Sequence, residues 1–326
     1  MIPLRTPAEA LRPCAIALGS FDGLHEGHRQ LIATVTAAAA RQPGLVPTVV
    51  SFWPHPREVL HGEARLRLDL PAEKLELLEP LGIAQLVLVP FDRQLAALSP
   101  QAFVAQVLVE QLGACFVAVG ENFRFGAGRC GSASDLQQLG AACGVAVTVV
   151  PMLHDAAGRH SSSRIRQALA AGDLQRAATL LHRPYRFCGR VVPGRGLGRG
   201  LGWPTANLQV DGRKFLPREG VYAAWAWHQG LPMAAVMNLG PQPTIDPASP
   251  SAVEVHLLDR DLELVGAELL IEPLALLRDQ QRFADLEALS AQISRDAERA
   301  RALTSRVGVA QPPADQGGDA AEQQNP

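Results

Sequence analysis

From the first residues to about Arg183, short runs rich in β-branched residues alternate with stretches whose apolar residues keep helical spacing. The runs are Cys14 to Leu18, Val46 to Phe52, Gln85 to Val89, Phe116 to Val119 and Val145 to Val149. Between them, Leu31, Ile32, Val35 and Ala39 fall on one helix face, as do Leu75, Leu78 and Leu81, and then Phe103, Val107 and Leu108. Apolar strands separated by amphipathic helices predict an α/β domain whose sheet is mostly parallel and covered on both faces. In such a sheet, ligands bind beyond the carboxyl ends of the strands.

At Leu181-His182-Arg183-Pro184-Tyr185 the pattern changes, and the following segments read as strands with no helix between them. These are Phe187 to Val192, Ala206 to Val210, Val221 to Trp227, Met233 to Asn238, Ala252 to Leu257 and Glu268 to Ile271. Short strands joined by Gly/Pro turns indicate an antiparallel barrel or sandwich. Phe283, Leu286, Leu289, Ile293 and Ala297 then define one apolar face of a helix expected to cover the barrel. From Val307 the chain is poor in large apolar groups and is expected to be a disordered tail. The division expected is therefore residues 1–183, 184–306 and 307–326.

Composition narrows the partners. The 326 residues are 47% hydrophobic and 19% charged with a formal net charge of −2, so no global field favours nucleic acid or an anionic membrane. Any phosphate recognition must be local. Lys74 and Lys214 are the only lysines among 30 basic residues, a bias toward arginine that also suits bidentate phosphate contacts. The N-terminus lacks a basic region followed by an apolar core, and no apolar run approaches the roughly 18 to 20 residues needed to span a membrane. Five scattered cysteines without C-x-x-C spacing suggest buried thiols of a cytoplasmic protein rather than disulfides or a zinc site.

The chemistry gathers at strand ends. Gly19-Ser20-Phe21-Asp22-Gly23-Leu24-His25-Glu26-Gly27-His28 follows the first strand and opens the first helix. Free N–H groups and the positive end of a helix attract phosphate oxygens, the glycines permit close approach, and two imidazoles three residues apart add donors. After the second strand come two prolines flanking a histidine expected to be exposed, His55. After the fourth comes Gly120-Glu121-Asn122-Phe123-Arg124-Phe125-Gly126, where aromatic faces and an amide suit a flat heterocycle. After the fifth, Ser161-Ser162-Ser163-Arg164-Ile165-Arg166 starts a helix; serines there are commonly caps, but with Arg166 they also form a second anion cradle. In the second half, Gly194 to Gly202 alternates glycine with Arg195, Leu197, Arg199 and Leu201 and leads into Trp203-Pro204-Thr205-Ala206-Asn207. Alone, the glycine loop fits a phosphate wrap or a basic loop on nucleic acid equally. The P-T-A-N run favours the former, because a hydroxyl and an amide oxygen two apart on a strand point the same way and can serve one Mg²⁺.

The G-x-F-D-G-x-H-x-G-H string resembles the H-x-G-H nucleotidyltransferases, and its S-F-D-G start narrows the resemblance to the bacterial bifunctional riboflavin kinases and FAD synthetases. The P-H-P turn, the G-x-N-F-x-F-G and S-S-S-R-I-R stretches, P-T-A-N, Gly220-Val221-Tyr222, Asn238-Leu239-Gly240 and Val253-Glu254-Val255-His256-Leu257 resemble the same family. The resemblance runs from Cys14 to Thr304 and implies a Rossmann-like nucleotidyltransferase domain followed by a small antiparallel riboflavin kinase barrel with a C-terminal helix. It implies that Gly19, Phe21, Asp22, Gly23, His25, His28, Ser162, Ser163 and Arg166 bind ATP for adenylyl transfer. Asn122 would lie beside the attacking phosphate, and His55, Phe123, Phe125 and Arg129 would line the flavin and nucleotide pocket. In the kinase, Gly194, Gly196, Gly198, Gly202, Thr205 and Asn207 would bind ATP, Thr205 and Asn207 would meet Mg²⁺, and Glu254 would be the general base. Four positions depart from the family pattern: Trp53 for an acidic residue, His182 for glycine, Val265 for tyrosine and Gln280 for glutamate.

The activity implied is phosphorylation of riboflavin to FMN and adenylylation of FMN to FAD, each with ATP. The partners implied are these small molecules, with no nucleic acid, no membrane and at most a weak homo-oligomer. Two other readings stay open at this point: a nucleotide- or RNA-binding regulator with reduced catalysis on the same folds, and a single-activity adenylyltransferase, which would leave P-T-A-N unexplained.

Overall fold

The computed structural model describes residues 1–155, 158–194, 202–240, 253–260 and 262–307. Gly196, Gly198 and the tail beyond Val307 lie outside the described residues. The chain forms two compact units, one of Met1–Ala170, Arg176–Arg183 and Arg213–Leu216, the other of Ala171–Gln175, Pro184–Gly212 and the chain from Pro217 onward.

The first unit is built on six parallel strands: β1 (Leu4–Arg5), β2 (Cys14–Leu18), β3 (Val46–Trp53), β4 (Gln85–Pro90), β5 (Ala114–Gly120) and β6 (Ala146–Val150), in the order β1-β4-β3-β2-β5-β6. Strand β2 is buried along its whole length because helices cover both sides. Its side chains alternate accordingly. Cys14, Ile16 and Leu18 join Phe103, Val107 and Leu108 of the π-type helix Phe103–Gln111, while Ala15 and Ala17 join Leu31, Ile32 and Val35 of α1 (Glu26–Arg41). From β2 the chain proceeds to β3 and β4 on one side and then to β5 and β6 on the other, so the order reverses between β2 and β5. That is the switch point at which doubly wound sheets bind ligands, beyond their carboxyl ends.

Both lysines are buried in this unit, Lys74 at 6% and Lys214 at 1% exposure. Lys214 Nζ donates to the Leu68 carbonyl at 2.7 Å and to both carboxylate oxygens of Glu73 at 2.9 and 2.7 Å, while Lys74 Nζ donates to the Ser20 carbonyl at 3.0 Å. His182 takes φ +55°, a backbone region that favours glycine, which accounts for the glycine expected there. Its Nε2 lies 3.2 Å from Glu26 Oε2.

The second unit contains a closed antiparallel barrel. Its strands are β7 (Phe187–Val192), β8 (Ala206–Gln209), β9 (Gly220–His228), β10 (Leu231–Leu239), β11 (Val253–Leu257) and β12 (Glu268–Arg278), arranged β7-β8-β11-β10-β9-β12 and closed by β12 on β7. Alternate residues such as Val253, Val255, Met237, Ala235 and Ile271 are fully buried, as the period of a strand requires. The last strand runs to Arg278, well past the Ile271 expected from the sequence.

The C-terminal helix, spanning Leu286–Arg306, covers the outer side of the barrel with the later turns of the expected face. Leu286 is 65% exposed and Phe283 precedes the helix, which Asp285 caps by accepting the Ala288 N–H at 2.8 Å. Ala297 and Ala300 instead pack on Val221, Ala223 and Val236. Small side chains let the helix approach closely, and buried Asp296 pairs with Arg278 Nε at 2.8 Å.

Candidate active sites

At the end of β2 the chain turns through Phe21 and Leu24, both at positive φ, and Gly23 at φ 90°. A Cβ on Gly23 would stand 2.8 Å from Leu68 Cδ1 at a positive φ, so this position favours glycine. Asp22 holds the turn in place: its Oδ1 accepts from the N–H groups of Leu68 at 2.8 Å and Asp69 at 3.3 Å, and its Oδ2 pairs with Arg166. Ser162 Oγ donates to the Asp22 carbonyl at 2.7 Å. The two anion cradles expected from the sequence are thus tied to each other through Asp22. Arg166 Nη2 is spent on that carboxylate and on the Leu66 carbonyl, whereas Nη1 is buried with no partner among the described residues.

His25 occupies the position before the first residue of α1 without a capping side-chain bond, and His28 lies in the first turn, the two rings stacking at 3.8 Å with 18° between their planes. Phe21 supports His28 from 5.1 Å. Both imidazoles leave a buried Nδ1 without a partner among the described residues. They border a polar cavity of about 430 Å³ whose lining includes Gly19, Asp22, Asn122, Ser162 and Ser163. Seven lining residues are cationic, Arg57, Arg65, Arg67, Lys74, Arg124, Arg129 and Arg159, against the single carboxylate of Asp22. The charge that the near-neutral chain lacks globally is concentrated here. Sequence reasoning missed Arg65, Arg67, Lys74, Arg159 and His160; the basic pair just before the serine run was the available signal.

His55 is not exposed as expected. It caps the short helix Pro56–His61, its Nδ1 accepting the Arg57 N–H at 3.1 Å, and it is half-buried against the cavity. Burial, then Arg65 and Arg67, pull its pKa down to about 4. Burial, then His160 and Arg159, pull His25 down to about 4 as well, and burial with His25 and Lys74 holds His28 well below the ordinary value of 6.5. All three rings are therefore neutral at pH 7. Because the unfolded chain binds these protons more tightly, their contribution to stability is complete above about pH 6.5 and is lost as pH falls toward 4. His25 alone accounts for roughly 3 kcal/mol at the acid end. Thermal denaturation should show the first unit melting progressively lower from pH 7 to 4.5; an unchanged transition down to pH 5 would contradict buried neutral imidazoles.

A second cavity, of about 820 Å³, adjoins the first and shares Phe52, Pro56, Arg57, Phe123, Arg124 and Arg129 with it. Its walls are aromatic: Phe123 stacks on Phe125 at 5.7 Å and 18°, and Phe52, Phe91 and Phe103 continue the cluster. Trp53, the departure from an acidic residue, is flanked by the guanidinium groups of Arg67 at 5.0 Å and Arg213 at 5.2 Å. Its π-face meets the cations that a carboxylate would otherwise meet.

In the barrel, Asn207 of β8 stands opposite Glu254 of β11, which stands opposite Asn238 of β10. Register partners point to the same side of a sheet, so these half-buried side chains form one row on the face away from the Val253 and Val255 core. Gly194 packs against this row: a Cβ there would lie 1.9 Å from Asn207 Nδ2. Gln280 Nε2 donates to Asn238 Oδ1 at 2.7 Å and to the Leu239 carbonyl at 3.0 Å, so the glutamine in place of glutamate closes onto the row. His256, next along β11, engages the Pro204 carbonyl at 2.7 Å and fixes the start of P-T-A-N. Thr205 and Gly202 are exposed, and Val265 is exposed without packing.

Comparison with known proteins follows this division. A FAD synthetase family model matches residues 8–164 and a riboflavin kinase model matches residues 181–304. The bifunctional riboflavin kinase/FMN adenylyltransferase of Escherichia coli K12 is 40% identical over 290 residues, covering 88% of this chain and 92% of its own. Its namesake from Pseudomonas fluorescens is 38% identical over 295 residues, covering 90% and 94%. A solved structure from Streptococcus pneumoniae, named a macrolide-efflux protein, is 30% identical with a TM-score of 0.80 and covers 92% of this chain and 98% of its own. It shares the fold; no helix among the described residues is long and apolar enough to cross a membrane. With both family models matched in order and relatives this similar over most of the length, the chain belongs to the bifunctional riboflavin kinase/FMN adenylyltransferase family.

Proposed function

We propose that this protein phosphorylates riboflavin at its barrel and adenylylates the resulting FMN in its α/β unit, using ATP twice and releasing pyrophosphate in the second step. The observation that carries the reading is the pair of adjoining cavities, one polycationic and one lined by phenylalanines, at the switch point of the parallel sheet. A nucleoside triphosphate and a flat flavin bearing one phosphate need that combination. The FMN phosphate attacks the α-phosphorus of ATP, the bond to pyrophosphate breaks, and no covalent enzyme intermediate is required. His25, His28 and Ser163 donate to the polyphosphate, Ser162 offers its backbone N–H there while its hydroxyl holds the Asp22 carbonyl, Asn122 orients the attacking phosphate, and Arg166 and Asp22 hold the two cradles together. Positioning and charge neutralisation dominate, since the nucleophile is already anionic. His55, Phe123, Phe125 and Arg129 border the flavin.

In the barrel, Glu254 takes the proton of the ribityl 5′-hydroxyl as that oxygen attacks the γ-phosphorus of the other ATP and the bond to ADP breaks. Asn207, opposite that carboxylate, and Thr205, two residues earlier in the chain, offer hard oxygen donors, a set that suits Mg²⁺ because few protein ligands leave most of its shell to water and phosphate. Mg²⁺ would supply neutralisation of phosphate charge there. The five cysteines are free, in keeping with the cytoplasm as its place, although only Cys14 is buried as expected and Cys130 and Cys143 are exposed; self-association is expected to be weak at most.

Chromatography of riboflavin incubated with Mg²⁺-ATP tests the reading. FMN should appear first and FAD after it. Phosphate-ester adenylylation that spares FMN would point to a single-activity transferase, and binding of ATP with no flavin conversion would point to a regulator.

A further inference from the structure

We propose that His160 is a further binding residue of the adenylyl-transfer cavity, taking up one proton from solvent as the polyphosphate arrives and donating a hydrogen bond to it. This rests on reading that cavity as the ATP site. His160 lines the polar cavity together with His25 and Arg159 and is absent from the aromatic one, so it faces the nucleotide side. Its ring is held from behind: Nε2 lies 3.4 Å from Asp155 Oδ2, and Asp155 is gripped by Arg164, Nη1 to Oδ1 at 2.9 Å and Nη2 to Oδ2 at 2.8 Å. The backbone N–H of His160 is fixed on the Leu153 carbonyl at 2.9 Å. Its other nitrogen, Nδ1, is buried and has no hydrogen-bond partner among the described residues.

That arrangement gives the two protonation states different chemistry. With Nε2–H turned toward Asp155, the neutral ring shows a lone pair at Nδ1, which repels a phosphate oxygen; the imidazolium shows a donor there instead. An anion at Nδ1 therefore selects the protonated ring, sandwiched between Asp155 and phosphate. No bond of the nucleotide is made or broken by this uptake. The charged and titratable groups facing the ring are Asp155 and Arg159 from the 154–159 hairpin, Arg164 from the helix Ser162–Ala171, and His25 from the start of α1. Asp155 at Nε2 and a polyanion at Nδ1 would both pair with the imidazolium, from opposite sides of the ring.

The test is calorimetric titration of the full chain with inorganic pyrophosphate in two buffers of different ionisation enthalpy, comparing the parent with His160→Gln and His160→Asn. Ionisation of pyrophosphate itself is common to all three and cancels in the comparison. The parent should bind with proton uptake; both variants should lose about one proton of it, with Kd raised about tenfold. His160→Asn, whose amide can stand near the Nδ1 position, should recover some affinity without recovering the uptake. In FMN adenylylation the same variants should raise KM for ATP by a similar factor with kcat within a few-fold. Variants that bind pyrophosphate with parental affinity and parental proton uptake would overturn the role of His160. A parent that fails to bind pyrophosphate would instead overturn the reading of the cavity itself.

Discussion

Glu254→Gln is expected to lower riboflavin phosphorylation by about 10²-fold or more, while added FMN is still converted to FAD at near the parent rate. The glutamine keeps the shape of the side chain and its place between Asn207 and Asn238, so the row on the barrel face stays intact. What it cannot do is accept the hydroxyl proton. Adenylyl transfer starts from a phosphate that needs no base, and Glu254 lies in the other compact unit from the H-x-G-H turn. Riboflavin should therefore accumulate while FMN is consumed. Both conversions are measured in one preparation, and a variant that phosphorylates riboflavin at the parent rate removes Glu254 from the mechanism.

The second large effect is expected on the other activity. His28→Ala should lower adenylyl transfer by about 10² to 10³ while sparing the kinase, because it deletes one donor to the polyphosphate from a preorganised, mostly buried site. His28 is wedged between His25 and Phe21, so the truncation also opens a void beneath the stacked rings. His28→Asn retains an amide donor and should restore part of the rate if donation is what matters. Equal loss of both activities in His28→Ala would indicate a folding defect and count against the assignment.

Much of this was legible because the features are local. A fully buried parallel strand must be apolar throughout, so Cys14–Leu18 announces itself, and the turn after it needs glycine at a position where even a Cβ collides with Leu68. The barrel ladder that brings Asn207, Glu254 and Asn238 together was only partly readable: period two gives the face but not the neighbour, and the neighbour is set by register between strands far apart in sequence. The charge balance of the cavity was not readable. Its cations come from several separate segments, and nothing local to Arg65 or Lys74 says that they converge. The same holds for Asp22, whose carboxylate is shared by Leu68, Asp69 and Arg166, and for His55, whose burial depends on the arginines folded beside it. In the C-terminal helix the expected face holds at Ala297 and continues to Ala300, while Leu286 at its start stays exposed because the close packing on the barrel falls on the two alanines.

The burial of both lysines makes the folded protein almost invisible to amine chemistry. Lysine side chains ordinarily reach solvent, so most proteins acylate at many places at once. Here the two ε-amino groups are occupied by the Ser20 carbonyl in one case and by Leu68 and Glu73 in the other. An amine-reactive label applied to the folded chain therefore finds neither ε-amino group in the open. A lysine-specific protease, with cleavage possible after only two residues, becomes a reporter of transient opening of the unit that encloses them.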